Sequence, residues 1–434
     1  MVASQHDEHA AAWEAMVGAA PASFTRPSLA IFLTLMNAWV LTPGRRTVTR
    51  MIAVGDPEGR RCHDSYHRFL RCGLWTMTSL WKSLAVRLVN TLCPTGTVVL
   101  DCDDTLFHKV GRKINGAGSF RDAIRSTRNK VAYATGLNVV VITLRVRAPW
   151  GGEPLGLPVN CRLFRKGGPT HNDLAAAMVA QLAEWLPGRH FSLCADGAYA
   201  SLAGRQLPRT HVCSRMRRDA ALFEAAPPRT GRRGRPATKG ARLGTPEALA
   251  AAAHDFQTVE LDWRGRTVTR ALWSRPVLWY SVCPGAMVLL VVVRDPAGVE
   301  RDDLFFTTDL TATPSQVASL YAGRWSIEDT FRATKQSLGG EDPQCWKHRG
   351  PERVVALSLW LHANVWAWYI ATQGATPTWT SRPWYTAKRT PSFADALACL
   401  RRTLWAARIN AAPAAGGLPQ QISGTLIDIL AEAA

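Results

Sequence analysis

The sequence predicts an α/β protein, with a mixed-sheet core that carries a β-rich insertion and is flanked by helical N- and C-terminal regions. Three observations support this. Apolar residues recur at helical spacing through SLAIFLTLMNAWVL (28–41) and TMTSLWKSLAVRLVNTL (76–92). From Pro94 the texture changes to short apolar β-runs interleaved with helical patterns. A second series of strands then fills the span from Gln257 to Asp309. At 434 residues the chain is long enough for two or three domains.

In order, residues 1–93 read as a helical region. Its middle is a basic stretch, RTVTRMIAVGDPEGRRCHDSYHRFLRCGLW (46–75). Two short helices around the Gly55-Asp56-Pro57 turn suit a helix-turn-helix-like DNA-binding unit; a small helical domain with a solvated basic face fits the same pattern. The core runs over 94–345. TGTVVLDCDD, NVVVITLRVR and GLPVNCRLFRK read as strands, NDLAAAMVAQLAEWL as a helix, and HFSLCADG and THVCSRM as further strands. A β-β-β-α-β-α-β order suits a ribonuclease-H-like mixed sheet, an order that other α/β folds share. The insertion spans about 217–300. It opens with a Pro/Gly/Arg-rich loop, PPRTGRRGRPATKGAR (227–242), and continues with TVELDWRG, TVTRALW, VLWYSV and AMVLLVVV. DLFFTTD then rejoins the main sheet, and one helix is expected from about Pro314 to Leu338. Residues 346–434 form a helical, Trp-rich C-terminal region.

Composition narrows the partners. Lys and Arg total 52 against 33 acids, a formal charge of +19. Such an excess implies a polyanion, either nucleic acid or an acidic membrane surface. Ten cysteines lie scattered with no C-x-x-C pair, which argues against a zinc ribbon, a redox pair or a disulfide framework. The first residues lack the basic and apolar segments of a signal peptide, so a cytoplasmic protein is expected. Two basic segments flank the acids discussed next. Residues 107–135 hold seven Lys/Arg against one acid, and 205–242 hold eleven against two. Both suit DNA contact.

Three acids are placed where this layout would gather them: Asp104 closing the first strand, Asp196 closing the fourth, and Glu328 on the late helix. Converging carboxylates make the oxygen-rich pocket that Mg²⁺ or Mn²⁺ prefers. Two such ions roughly 3.5–4 Å apart serve phosphodiester chemistry. Asp103 competes with Asp104, because a one-residue change in strand register exchanges the two. On the late helix, Tyr321, Arg324, Glu328 and Lys335 occur as Y-x2-R-x3-E-x6-K. Helical spacing puts the first three on one stripe, so Glu328 can ligate metal while Arg324 and Lys335 grip phosphates and Tyr321 positions DNA. An ordinary i,i+4 ion pair on a solvated face is the bland reading.

These residues resemble the DDE transposases of bacterial insertion sequences. The Y-R-E-K spacing is a signature of one large group. Asp103-Asp104-Thr105 followed by Lys109 and Gly111 is similar to the D-D-T-x3-K-x-G pattern of one branch, which implies Asp104 as the first ligand. Asp196 in CADGAY matches the second acid. SRMRRDAALF, with Arg215, Arg217 and Arg218, and the GRRGRP loop, with Arg232, Arg233 and Arg235, resemble the basic stretch that follows it. The resemblance covers roughly residues 30–350. It implies an RNase-H-like core that uses two Mg²⁺ or Mn²⁺ ions. Its DNA partners would be the terminal inverted repeats, which it cuts to free 3′-OH ends, and the target DNA to which it joins them. It further implies a homodimer on DNA and a bacterial, nucleoid-associated setting.

Two other readings compete. VVLDCDDTLF fits the D-x-D-x-T-L motif of haloacid-dehalogenase-like phosphatases, with Asp101 as nucleophile and Asp103 as acid/base. No later Lys motif or acidic pair completes that site. The other is a transposase-derived DNA-binding protein without cleavage activity. Among 17 tryptophans, Trp273, Trp279 and Trp325 are candidates to stack on an unpaired base.

Overall fold

The computed structural model describes residues 5–19, 23–122, 125–127, 129–228, 236–411 and 420–433. Five helices come first: α1 (Gln5–Gly18), α2 (Arg26–Leu41), α3 (Val48–Gly55), α4 (His63–Cys72) and α5 (Met77–Leu92). The Thr25 side chain caps α2 and Thr47 caps α3, each accepting from a backbone N–H three residues on. The expected pair of short helices is α3 and α4. Asp56 organises the turn between them, accepting from the Arg60 and Arg61 amides and from the Tyr66 hydroxyl.

The sheet begins with β1 (Val98–His108), β2 (Gly118–Arg121), β3 (Tyr133–Val146) and β4 (Leu155–Leu163). Then come α6 (His171–Trp185), β5 (Phe191–Ala195), a 3₁₀ segment (Gly197–Gly204) and β6 (Thr210–Arg215). β4, β3, β1, β5 and β6 lie side by side in that order. β3 is antiparallel to β1 and β4, while β1, β5 and β6 are mutually parallel. This is the RNase-H-like arrangement. β3 starts five residues earlier than its apolar run because the short, polar β2 pairs with Tyr133–Gly136.

After a two-stranded ribbon, β7 (Leu222–Phe223) with β8 (Arg242–Gly244), and a short helix α7 (Pro246–Ala252), the β-rich insertion follows. Its strands are β9 (Gln257–Trp263), β10 (Arg266–Val277) and β11 (Val288–Arg294), followed by β12 (Asp303–Thr307). β12 pairs antiparallel with β6, so the meander β12-β11-β10-β9 lengthens the core sheet to ten strands. The segment VLWYSV is not a strand of its own. Its Val277 ends β10, and Trp279 to Cys283 form a turn whose apolar side chains fill a satellite core.

The late helix is in two pieces, α8 (Pro314–Ala322) and α9 (Ser326–Gln336), joined by a 3₁₀ turn at Gly323–Trp325. A Cβ at Gly323 would stand 2.6 Å from an Arg145 nitrogen, so a side chain there would displace that arginine. Among the described residues three helices follow: α10 (Gly350–Gln373), α11 (Phe393–Asn410) and α12 (Gln420–Glu432). α10 is long and apolar enough to cross a membrane, but 94% of its most apolar window is buried inside the protein. It is the helix on which the N-terminal helices, α11 and β4 converge. Trp39, Trp81, Val98, Leu144, Trp360 and Leu400 belong to one continuous buried cluster. The flanking helical regions therefore share their core with the sheet.

Candidate active site at the ends of the parallel strands

β1 and β5 run parallel, and their last registered pair is Cys102 with Ala195. One residue beyond it stand Asp103 and Asp196. Side chains alternate across a strand, and on β1 the two faces differ sharply in chemistry. Asp101, Asp103 and Thr105 face α9 and the turn before it. Asp101 accepts from Ser326, Asp103 from Arg324, and Thr105 from Lys335. Asp104 points the other way, accepting from the Asn138 amide at 2.8 Å and the Tyr199 hydroxyl at 3.1 Å. His171 lies 3.9 Å from it, stacked on Phe164. Asp104, expected to join Asp196 and Glu328, thus lies across the strand from Glu328, and Asp103 faces that helix.

Close packing of α9 brings Glu328 to this face. Thr330 donates to the Gly156 carbonyl of β4 at 2.6 Å. A Cβ at Gly156 would lie 2.8 Å from the Thr330 hydroxyl and 2.9 Å from the Ser326 carbonyl, so glycine lets the helix settle on the strand. Ile327 and Phe331 bury the helix's inner side. Beneath it, Arg145 of β3 is paired with the fully buried Asp101 and donates to the Leu320 carbonyl of α8. This pair ties β1, β3 and the start of the late helices together.

Arg324 is the hub. Only 8% exposed, it donates to Asp103 at 2.9 Å and to Glu328 at 2.8 Å. The expected i,i+4 ion pair exists, but its arginine is buried and shared with a strand acid. Burial works against the charge on Arg324, yet Tyr321, Asp103 and Glu328 outweigh it and raise the guanidinium pKa. Burial pushes the Asp103 carboxyl up to about 7; Arg324 opposes this, while Asp196 and Asp104 push in the same direction as burial. Asp196 opens the 3₁₀ segment, its side chain accepting from the Ala198 amide at 2.9 Å. Tyr321 is buried and stacked on Phe305 at 4.2 Å, with Arg324 and Arg215 against its ring. Burial pushes its hydroxyl up to about 12. Lys335 donates to Thr105 at 2.6 Å and lies over Phe107; burial lowers its pKa.

The other expected contacts separate. Lys109, expected to touch DNA, is 2% exposed and donates to the carbonyls of Glu341 and Pro343. Its ammonium is an internal tie because its acceptors arrive from a segment more than two hundred residues later. Arg215 is half-exposed at the rim, paired with Asp303. Arg217 is exposed beside Asp219, and Arg218 reaches Glu247 and the Asp302 carbonyl. Arg232, Arg233 and Arg235 lie outside the described residues. Trp279 is buried core, whereas Trp325 is 39% exposed with Arg264 against its ring. Asp101, the nucleophile of the phosphatase reading, is sealed from solvent by Arg145 and Ser326.

Sequence reasoning missed Arg145, Ser326, Asn138, Tyr199 and His171. The D-x-D spacing of Asp101 and Asp103 held a usable signal, since it puts both on one face of a strand. Among the described residues no three His, Cys, Asp or Glu side chains are already gathered as a metal cluster. The donor set nonetheless suits a hard divalent cation: it is all carboxylate, and burial, reinforced by Asp196 and Asp104, disfavours the Asp103 charge that a cation would stabilise.

The sheet is ribonuclease-H-like, and its acids stand where the parallel pairing of β1 with β5 ends. Residues 22–275 match the DDE superfamily endonuclease family, more than half of the chain, and the protein belongs to that family. The match includes Asp103, Asp104 and Asp196 and ends before α9. No curated protein matches the chain.

Proposed function

We propose that the protein is a DNA transposase of the cut-and-paste type, in which Asp103, Asp196 and Glu328 form the catalytic acid set. The observation that carries this reading is the shared face: Arg324 bridges Asp103 and Glu328, and Asp196 acts electrostatically on Asp103 from the neighbouring parallel strand. The three carboxylates would hold two Mg²⁺ or Mn²⁺ ions. Such ions supply charge neutralisation at phosphorus and a lowered pKa for an attacking hydroxyl.

The remaining work falls to the chain's own residues. Arg324 is bonded to Asp103 and Glu328, Lys335 to Thr105 on the same strand face, and Arg215 lies against the Tyr321 ring; these cations are suited to phosphate oxygens on either side of the scissile bond. Tyr321 keeps Arg324 and Arg215 in place through its ring. In the first step water attacks phosphorus and the 3′-oxygen leaves as a hydroxyl. In the second, that 3′-OH attacks a target phosphodiester and displaces its 3′-oxygen. No covalent protein–DNA intermediate is involved. Asp104 is a positioning residue in this account: it holds Tyr199, which lies in the turn that Asp196 opens. The partners are terminal inverted repeats and target duplex, with two protein copies on two ends.

The test is cleavage of linear duplexes carrying the DNA that flanks this gene, in Mg²⁺ or Mn²⁺. Cutting at the ends, lost in Asp103→Asn, Asp196→Asn and Glu328→Gln, supports the proposal. Binding without cutting in wild type would leave a DNA-binding protein that has lost cleavage.

A further inference from the structure

Between α10 and α11 the segment 374–392, GATPTWTSRPWYTAKRTPS, carries Arg382, Lys388 and Arg389 and no acid. It also carries three aromatic residues, and two of them face solvent: Trp384 is 79% exposed and Tyr385 58%. Large aromatics on a held backbone are normally covered, and this backbone is held, with the buried Tyr369 donating to the Thr378 carbonyl at 2.9 Å. With the start of α11 and the end of α12 the segment encloses a cavity of about 620 Å³, lined by Trp379, Trp384, Tyr385 and all three cations. Arg382 is paired with Glu432 and Lys388 with Asp395. Among the described residues Arg389 has no carboxylate within ion-pair distance. The cavity thus offers π-faces beside an unneutralised guanidinium.

Its position relates it to the acids. A Cβ on Gly152, in the β3–β4 turn, would stand 2.8 Å from Thr390, and one on Gly265, in the β9–β10 turn, 2.6 Å from the Gly152 carbonyl. Arg264, beside Gly265, lies 4.3 Å from the Trp325 ring, one helical turn before Glu328. Packing therefore links the Trp325 turn, through the β9–β10 and β3–β4 turns, to the segment that forms this cavity.

We propose that the cavity receives an unpaired nucleotide of a DNA strand, its base against Trp384 and Tyr385 and its phosphate on Arg389. The proposal rests on the DNA-acting reading above, and its volume is in the range of small-ligand sites. Base–aromatic stacking needs only a π-face, which makes the site tolerant of sequence.

The test uses the full chain and a single-stranded oligonucleotide containing 2-aminopurine, whose fluorescence is quenched on stacking. Wild type is expected to quench it. Trp384→Ala/Tyr385→Ala should abolish quenching and weaken single-strand affinity by at least about fivefold, with duplex affinity unchanged. Trp384→Phe/Tyr385→Phe should retain quenching, which separates stacking from misfolding. Arg389→Gln should reduce the salt slope of single-strand binding by about 0.7, the value for one phosphate. Unchanged quenching in the alanine variant, or equal loss on duplex, overturns the proposal. Wild-type cleavage separates the two readings: quenching by a wild-type protein that never cuts DNA would keep the cavity and remove the transposase, whereas cutting without quenching would keep the transposase and remove the cavity.

Discussion

Replacing Asp101 by Asn tests the scaffold beneath the acids. Asp101 is fully buried and accepts from Arg145 Nε at 3.0 Å, from a second Arg145 nitrogen, and from Ser326 at 3.1 Å. The Arg145 side chain is itself only 9% exposed. Asn keeps one acceptor but turns an amide toward the guanidinium, leaving a buried charge without its counter-ion. Breaking such a pair costs about 3–5 kcal/mol. That is at least a hundredfold in the folding equilibrium, from a native stability on the order of 5–15 kcal/mol. Urea unfolding followed by circular dichroism should show the midpoint falling with little change in slope. Asp101→Asn/Arg145→Met should recover part of the loss, because it removes the stranded charge as well. A variant as stable as wild type but unable to cut DNA would refute this reasoning and return Asp101 to the chemistry.

Three further outcomes follow from named contacts. His362 is fully buried, stacked on Phe393, and among the described residues neither ring nitrogen has a hydrogen-bond partner; burial lowers its pKa to about 3. Between that value and the ordinary 6.5 the unfolded chain binds a proton that the folded one refuses, so stability falls as pH falls, by up to about 1.4 kcal/mol per unit. His362→Phe should flatten that part of a pH–stability curve, and an unchanged curve would count against it. Gly156→Val should lift α9 from β4, destabilising by about 1–3 kcal/mol and lowering cleavage by about a hundredfold, since Glu328 moves with the helix; unaltered cleavage kinetics would contradict the docking argument. Lys109→Met should lower the melting temperature yet leave the salt dependence of DNA binding unchanged, whereas a slope reduced by about 0.9 would restore Lys109 as a phosphate contact.

Most strands and helices were legible because their patterns are local. NVVVITLRV reads as buried β3, and α2 and α5 show their stripes. The departures arise where distant packing decides. β2 is GSFR, too short and polar to announce itself, and it exists because β3 overruns β1. VLWYSV looked like a strand because its aromatics are apolar, but they serve a turn. The late helix breaks at Gly323, just after Leu320, whose carbonyl accepts from Arg145, a contact 175 residues away in the chain. The candidate acids were visible as residue types; which of two adjacent aspartates faces Glu328 depends on where α9 docks. Lys109 had the look of a surface cation only because its carbonyl partners lie far along the sequence.

The central claim, that Asp103 works beside Asp196 and Glu328 while Asp104 only supports their frame, is tested most directly by metal rescue of cleavage. Asp103→Cys and Asp104→Cys would be assayed in single-turnover reactions on linear DNA ends, in Mg²⁺ and then in the thiol-accepting Mn²⁺. The account predicts that Asp103→Cys is inactive in Mg²⁺ and recovers in Mn²⁺, while Asp104→Cys keeps a reduced activity that is the same in both metals. Rescue confined to Asp104→Cys would contradict it and make Asp104 the ligand.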